Sequence, residues 1–245
     1  MDKKEWQEYS LVLKELLGLD FSPVALTCSK EPIIKDVNKK VRICRAILDA
    51  GKGTALQVTK ENNVCFGAGW HLGFHQMKDP KIMGMVKKFV VEGEKLFCSY
   101  DALDNLITQM DNPPDNSKSY FVLVPMEKAE FKPEVVLFVV DSDAACRLLT
   151  FVTFLDGQMP KIKIGGPTCR LSIIYPLVTG ETNISFYDYT ARKMCNVPKD
   201  KLVVSIPYNK MSKIIDSIDK CSAGRAKIEF PPEFRQFLQS RLTQS

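Results

Sequence analysis

Residues 120–140 read YFVLVPMEKAEFKPEVVLFVV, two apolar runs rich in β-branched and aromatic residues on either side of a polar middle. Neither run shows the apolar–polar alternation of a half-solvated strand, so both are expected to be strands buried on both faces. The polar stretch 127–132 reads as a short turn, which makes the two runs neighbouring antiparallel strands. Towards the C-terminus, Ser142 or Asp143 is expected to cap a helix over 144–155 that stops at Gly157. Further strands are predicted at 171–174, 182–187 and 202–206, then an amphipathic helix over 208–220 and a short helix or arm after Pro231-Pro232.

Towards the N-terminus, helices are expected at 101–110 and within 80–98, with a closing loop at Asn112-Pro113-Pro114-Asp115-Asn116. Residues 67–76 read as a Gly-rich turn leading into a helix, 54–59 as a strand, and 41–50 as a short helix ended by Gly51. Residues 21–28 (FSPVALTC) form a short strand that Pro23 places early or at an edge. Trp6, Tyr9, Leu13, Leu16 and Leu17 share one face of a helix over 3–18, which Gly18 stops. The expected class is α/β (α+β mixed), a central mixed β-sheet flanked by helices in a single globular domain over 1–245. Cys44-Arg45 and Cys169-Arg170 each open a helix-like stretch that leads to a strand, and this echo suggests pseudo-symmetric interlocked halves at 20–110 and 118–225.

Composition narrows the function classes. In 245 residues, 34 basic side chains against 29 acidic give a net charge of +5, and 45% of residues are hydrophobic, enough for a packed core. The densest basic cluster, Lys35, Lys39, Lys40, Arg42 and Arg45, lacks the interleaved aromatics of a phosphate-tracking stripe, so no nucleic-acid partner is expected. The opening MDKKEWQEYSLVLKELLG has no uninterrupted apolar core of a signal peptide, and the apolar run 135–140 is far short of the ~20 residues that cross a bilayer. A cytoplasmic protein without a membrane partner is expected, and its eight cysteines read as reduced thiols.

Three of these cysteines have distinctive surroundings. Cys65 precedes Phe66-Gly67-Ala68-Gly69, and Cys169 follows Gly165-Gly166-Pro167-Thr168; Cys44 opens the 41–50 helix. Glycines beside a cysteine let backbone N–H groups turn towards sulfur, which favours a thiolate or a cluster ligand. Cys28, Cys146 and Cys221 lie in strand or helix patterns and are expected to be buried and inert. No C-x-x-C occurs, against a zinc ribbon or a ferredoxin-type loop. His71 and His75 are spaced i, i+4, but Leu72 stands where a zincin has Glu. Gly67-x-Gly69-x-x-x-Gly73 departs from the dinucleotide fingerprint, and no nucleophile elbow, P-loop or paired carboxylates are present.

Taken in order, Ser22-Pro23-Val24-Ala25, Cys44, Cys65-Phe-Gly-Ala-Gly, Leu72-Gly73, residues 120–125, Pro133-Glu134-Val135-Val136, Gly165-Gly166-Pro-Thr-Cys169, Arg192 and residues 202–207 resemble domain-of-unknown-function family number 169, over residues 10–220. That family is widespread in anaerobic bacteria and archaea. The resemblance implies that Cys44, Cys65 and Cys169 act as a set, and it implies a further cysteine shortly before the arginine matching Arg192. Here Tyr187-Asp188-Tyr189 stands in its place. The expectation is a three-cysteine site for a 4Fe-4S cluster with an open or Asp188-filled fourth position, its negative charge offset by Arg192, and with Gly67, Gly69 and Gly166 as ligand-binding backbone. The alternatives are a metal-free small-molecule binding protein or enzyme with an anion site at Arg192, and an interaction protein whose cysteines only pack. A small-molecule ligand or a redox partner is expected; enzymatic activity and a homodimer are left open.

Overall fold

Val24, Ala25 and Leu26 lie at the centre of the molecule, paired antiparallel with Leu137, Val136 and Val135. They belong to β1 (Val24–Ser29) and β4 (Val135–Val140), the middle strands of a six-stranded sheet in a computed structural model that describes residues 4–35, 39–75, 80–110 and 113–242. With β2 (Leu56–Val58), β3 (Tyr120–Pro125), β5 (Asn183–Ser185) and β6 (Leu202–Pro207), the order is β2-β3-β1-β4-β6-β5. The mixed α/β class holds, but the sheet differs in detail from a mixed one: every pairing among these strands is antiparallel.

Alternate residues of each strand face two separate cores, both covered by helices, which is why the strands read as unbroken apolar runs. On one face Val24, Leu26, Phe121, Leu123, Leu137 and Val203 pack under α2 (Ile43–Gly51), α3 (Phe66–His71), α7 (Tyr175–Thr179, continuing a π-turn at Arg170–Ile174) and α8 (Tyr189–Cys195). On the other, Ala25, Val122, Val136, Phe138 and Val204 pack under α1 (Glu5–Leu17), α6 (Ser142–Phe154) and α9 (Met211–Ser217). Two further helices, α4 (Pro80–Lys88) and α5 (Tyr100–Thr108), lie between α3 and β3 in sequence, and α10 (Pro232–Leu242) ends the described chain. Gly18, at φ 61°, gives α1 the left-handed cap expected of it.

Several expectations are corrected. The runs at 120–125 and 135–140 are strands, but they are not neighbours, because β1 lies between them and pairs with both. The connection is longer than a hairpin turn: a single 3₁₀ turn at Met126–Lys128 follows β3, and the chain then crosses the end of β1, where Glu134 N–H donates to the Leu26 carbonyl (2.9 Å). Strand β1 is therefore central, and Pro23 stands just outside it. Residues 171–174 are helical, since a short apolar run cannot be told from a buried helix by its periodicity. The cap of α6 is Asp141, whose side chain accepts from Ala144 N–H. Helix α3 stops at His71, so His75 is not on its face, and Gln76 and Asn112 lie outside the described residues.

The pairing pattern maps onto itself. Val24 faces Pro125 in β3, and Val135 faces Pro207 in β6; Leu56 faces Leu123, and Asn183 faces Ser205. Exchanging Val24 with Val135, Leu56 with Asn183 and Leu123 with Ser205 reproduces all the registers, and Ala25↔Val136 is the pair left on the axis. Even the turns match: Met126 N–H donates to the Pro23 carbonyl and Tyr208 N–H to the Glu134 carbonyl. In this scheme β3 belongs with the first half, so the boundary falls between the 3₁₀ turn and β4 instead of at 110–118. The first half also carries α4 and α5 between α3 and β3, with no counterpart between α8 and β6.

Val136 is fully buried on the axis, in an apolar face with no cation to pair a carboxylate. Val136→Asp is expected to cost about 3–5 kcal/mol, measured by chemical denaturation; an unchanged midpoint would contradict this pairing.

Candidate functional site

The exchange relates helix N-termini as well as strands. Cys44 is the second residue of α2, and Cys169 is the second residue of the helical run that begins at Thr168. Cys65 is the N-cap of α3, and Asp188 is the N-cap of α8. All four line one cavity of about 470 Å³ on the α2 side of the sheet, joined by Cys195 at the end of α8. The opposite wall is apolar and comes from the inserted segment, with Val86, Phe89, Phe97, Leu103, Leu106 and Ile107. The structure thus brings Cys44, Cys65, Cys169 and Asp188 together. Among the described residues, however, no three His, Cys, Asp or Glu side chains form a group that could hold a metal ion.

Electrostatics explains the state of the thiols. Burial pushes Cys44 well above the ordinary thiol value, and the neighbouring Cys169, Asp188, Cys195 and Cys65 push it further. Cys169 is raised in the same way, by burial and then by Cys65 and Asp188. Cys195 is raised by burial, with Arg42 and Arg45 opposing. His71 is held neutral, its pKa lowered to about 3 by burial and by Arg170. Tyr187, at φ 58°, a left-handed conformation uncommon for a bulky residue, places a buried phenol against Cys44 and Cys195.

Other expected site residues do different work. Asp188 accepts from Ala191 N–H (2.8 Å) through one oxygen and from Thr168 N–H (3.1 Å) and hydroxyl (3.0 Å) through the other, tying together the two helix starts of the second half. Arg192 is absent from the cavity wall; its guanidinium donates to the carbonyls of Pro198, Lys199 and Lys201 at 3.2, 3.3 and 2.8 Å and fastens the loop into β6. Gly67 and Gly166 line the cavity, and a side chain at Gly67 would meet open space. Gly69 does not line it: a Cβ there would lie 2.7 Å from the His75 ring, so that glycine serves close packing. Cys146 is exposed where a buried thiol was expected, while Cys221 is buried. Cys195 was missed by sequence reasoning. Its spacing of two helical turns from Asp188 would have put it on the same helix face had α8 been recognised.

The comparisons agree with the sequence resemblance. The model of domain-of-unknown-function family 169, described as uncharacterised ArCR, matches residues 12–217. The uncharacterized protein MJ0308 of Methanocaldococcus jannaschii is 24% identical over 229 residues, which cover 89% of this chain and 96% of that one. No solved structure matches. Among the described residues no helix is long and apolar enough to cross a membrane.

Two measurements check this geometry. In cofactor-free protein at neutral pH, Cys98 and Cys146, both exposed, should react rapidly with a disulfide reagent, while Cys44 and Cys169 stay unreactive until the chain is unfolded. Arg192→Lys should lose about 1–2 kcal/mol of stability, because lysine cannot serve several carbonyls with a planar fork, and it should leave ligand occupancy of the cavity unchanged.

Proposed function

This chain belongs to domain-of-unknown-function family 169, and we propose that it is a ligand-binding protein whose cavity takes a small apolar molecule beside an iron–sulfur cluster held by Cys44, Cys65 and Cys169. The observation that carries this reading is the meeting of the three cysteines on one cavity, each at or beside a helix N-terminus. Helix N-termini carry partial positive charge and favour thiolates and cluster sulfides.

The donor set is consistent with a cluster in one respect and demanding in another. The arrangement holds no single ion, but a cubane spreads its ligand sulfurs further apart than one ion does. Buried, mutually repelling thiols stay protonated unless a strong local cation compensates them, and iron is such a cation. The same property weighs against a metal-free cysteine nucleophile, which needs a lowered pKa. Both oxygens of Asp188 are engaged in hydrogen bonds, so Asp188 is not spare to fill the fourth position of such a cluster. When bound, such a cluster supplies a Lewis-acidic iron or a single electron. Residues Phe66, Trp70, Phe89 and Phe97 give that end of the cavity an apolar lining. Eight unpaired cysteines support a reducing compartment, the cytoplasm. A metal-free ligand pocket is the second reading, favoured by the absence of a single-ion group among the described residues.

Anaerobic purification or reconstitution should give a brown protein with about four irons and four acid-labile sulfides per chain. Cys44→Ser, Cys65→Ser and Cys169→Ser should each lose most of both, while Cys221→Ser, buried in the other core, keeps them. Protein that takes up neither iron nor sulfide would leave the metal-free reading.

A further inference from the structure

Among the described residues, three charged side chains line the cavity: Arg42, Glu94 and Asp188. Asp188 is committed to capping. Glu94 is placed differently, since it comes from the inserted segment, directly after the π-turn Phe89–Gly93, and is half-buried. Its carboxyl neighbours the side chain of Thr190 in the first turn of α8, which also lines the cavity, so it reaches from the inserted wall towards the sheet side. Burial raises its pKa, the Thr190 contact lowers it, Asp188 raises it and Arg42 lowers it. Elsewhere on the wall, burial and Arg170 keep His71 neutral, and burial pushes up the thiols of Cys44, Cys169 and Cys195 and the phenol of Tyr187.

Among the described residues, one guanidinium and two carboxylates thus stand together in a largely apolar lining. A cavity of about 470 Å³ is in the range that encloses a small organic ligand. We infer that the cavity selects an apolar molecule carrying one amine head group, and that Glu94 receives that head. The apolar body lies against Phe66, Phe89, Phe97, Leu106 and Met194, and the head lies at the Glu94–Thr190 contact. The inference rests on the ligand-binding half of the function proposed above and needs no cluster.

The test is displacement of Nile red from the full chain by decylamine, decanol and decanoate, each below its micellar concentration. Decylamine should compete at least about tenfold better than decanol, the margin of a charge-assisted hydrogen bond, with decanoate weakest. Glu94→Gln should bring decylamine down to the decanol level while dye uptake and melting temperature are kept. Because the carboxyl titrates above its ordinary value, decylamine binding should fall as pH drops through that titration, and decanol binding should not change. Decanoate binding as tightly as decylamine, or an unchanged order in Glu94→Gln, overturns the head-group assignment. Leu106→Trp and Ile107→Trp should fill the cavity and abolish dye uptake; dye binding unaffected in both folded variants overturns the site. Loss of selectivity with the dye still bound leaves the ligand-binding reading standing, and iron and sulfide assays on the same preparation report the cluster independently.

Discussion

The three-pair ladder between β1 and β4 is the constraint on which the rest of the molecule depends. Each of these strands is already bound on its far side by a six-residue ladder, to β3 or to β6. The short central ladder turns two three-stranded sheets into one six-stranded sheet. It also sets the relative placement of the helices above. Without it α2 and α3 would have no fixed relation to α7 and α8, and the cysteines they carry would not share a cavity. Burial on both faces makes the register strict, because a slip by one residue would exchange Val24 and Leu26 with Ala25 between the two cores.

The chemistry of the cavity follows from this arrangement. Two helices from each half start over the same end of the sheet, and the side chains there are thiols at three positions and a carboxylate at the fourth. The carboxylate satisfies its own helix and the start of the neighbouring one, through Thr168. Cys44 and Cys169 have no such internal partners strong enough to ionise them, and burial pushes both thiols well above their ordinary value. On its sheet side the site is built from deeply buried residues. Its opposite wall, built from α4, the π-turn and α5, holds few fully buried residues and presents Met85, Phe89 and Leu96 partly to solvent.

Much of the architecture was legible in the sequence wherever local chemistry decides the outcome. Gly18 ends α1, Gly157 lies past α6 in a left-handed conformation, and the apolar runs at 120–125, 135–140 and 202–207 are buried strands. What failed was information carried between segments. Nothing in residues 126–134 tells a hairpin from a crossing over β1, since polar composition is common to both. The LSII run at 171–174 satisfies strand and buried-helix patterns alike, and its helix became evident only with the π-turn. At the site, Cys65 and Cys169 stand out in the sequence beside glycines, but Cys44 joined them only through the family resemblance, because spacing alone does not gather three distant cysteines. The role of Arg192 was not: an arginine that gathers three carbonyls of the next loop looks, in one dimension, like an arginine that awaits an anion.

The insertion of α4 and α5 into one half alone has a consequence for recognition. A backbone with twofold symmetry offers any guest two orientations related by a half-turn, and a guest that fits both is held without a defined heading. Closing that surface with a wall from one side only makes the two headings unequal, since only one of them turns a polar end towards Glu94. A sheet whose strand registers repeat about a twofold axis is thereby covered asymmetrically. Under the head-group assignment proposed above, the recognised end of a guest would meet the same member of each pair of related positions.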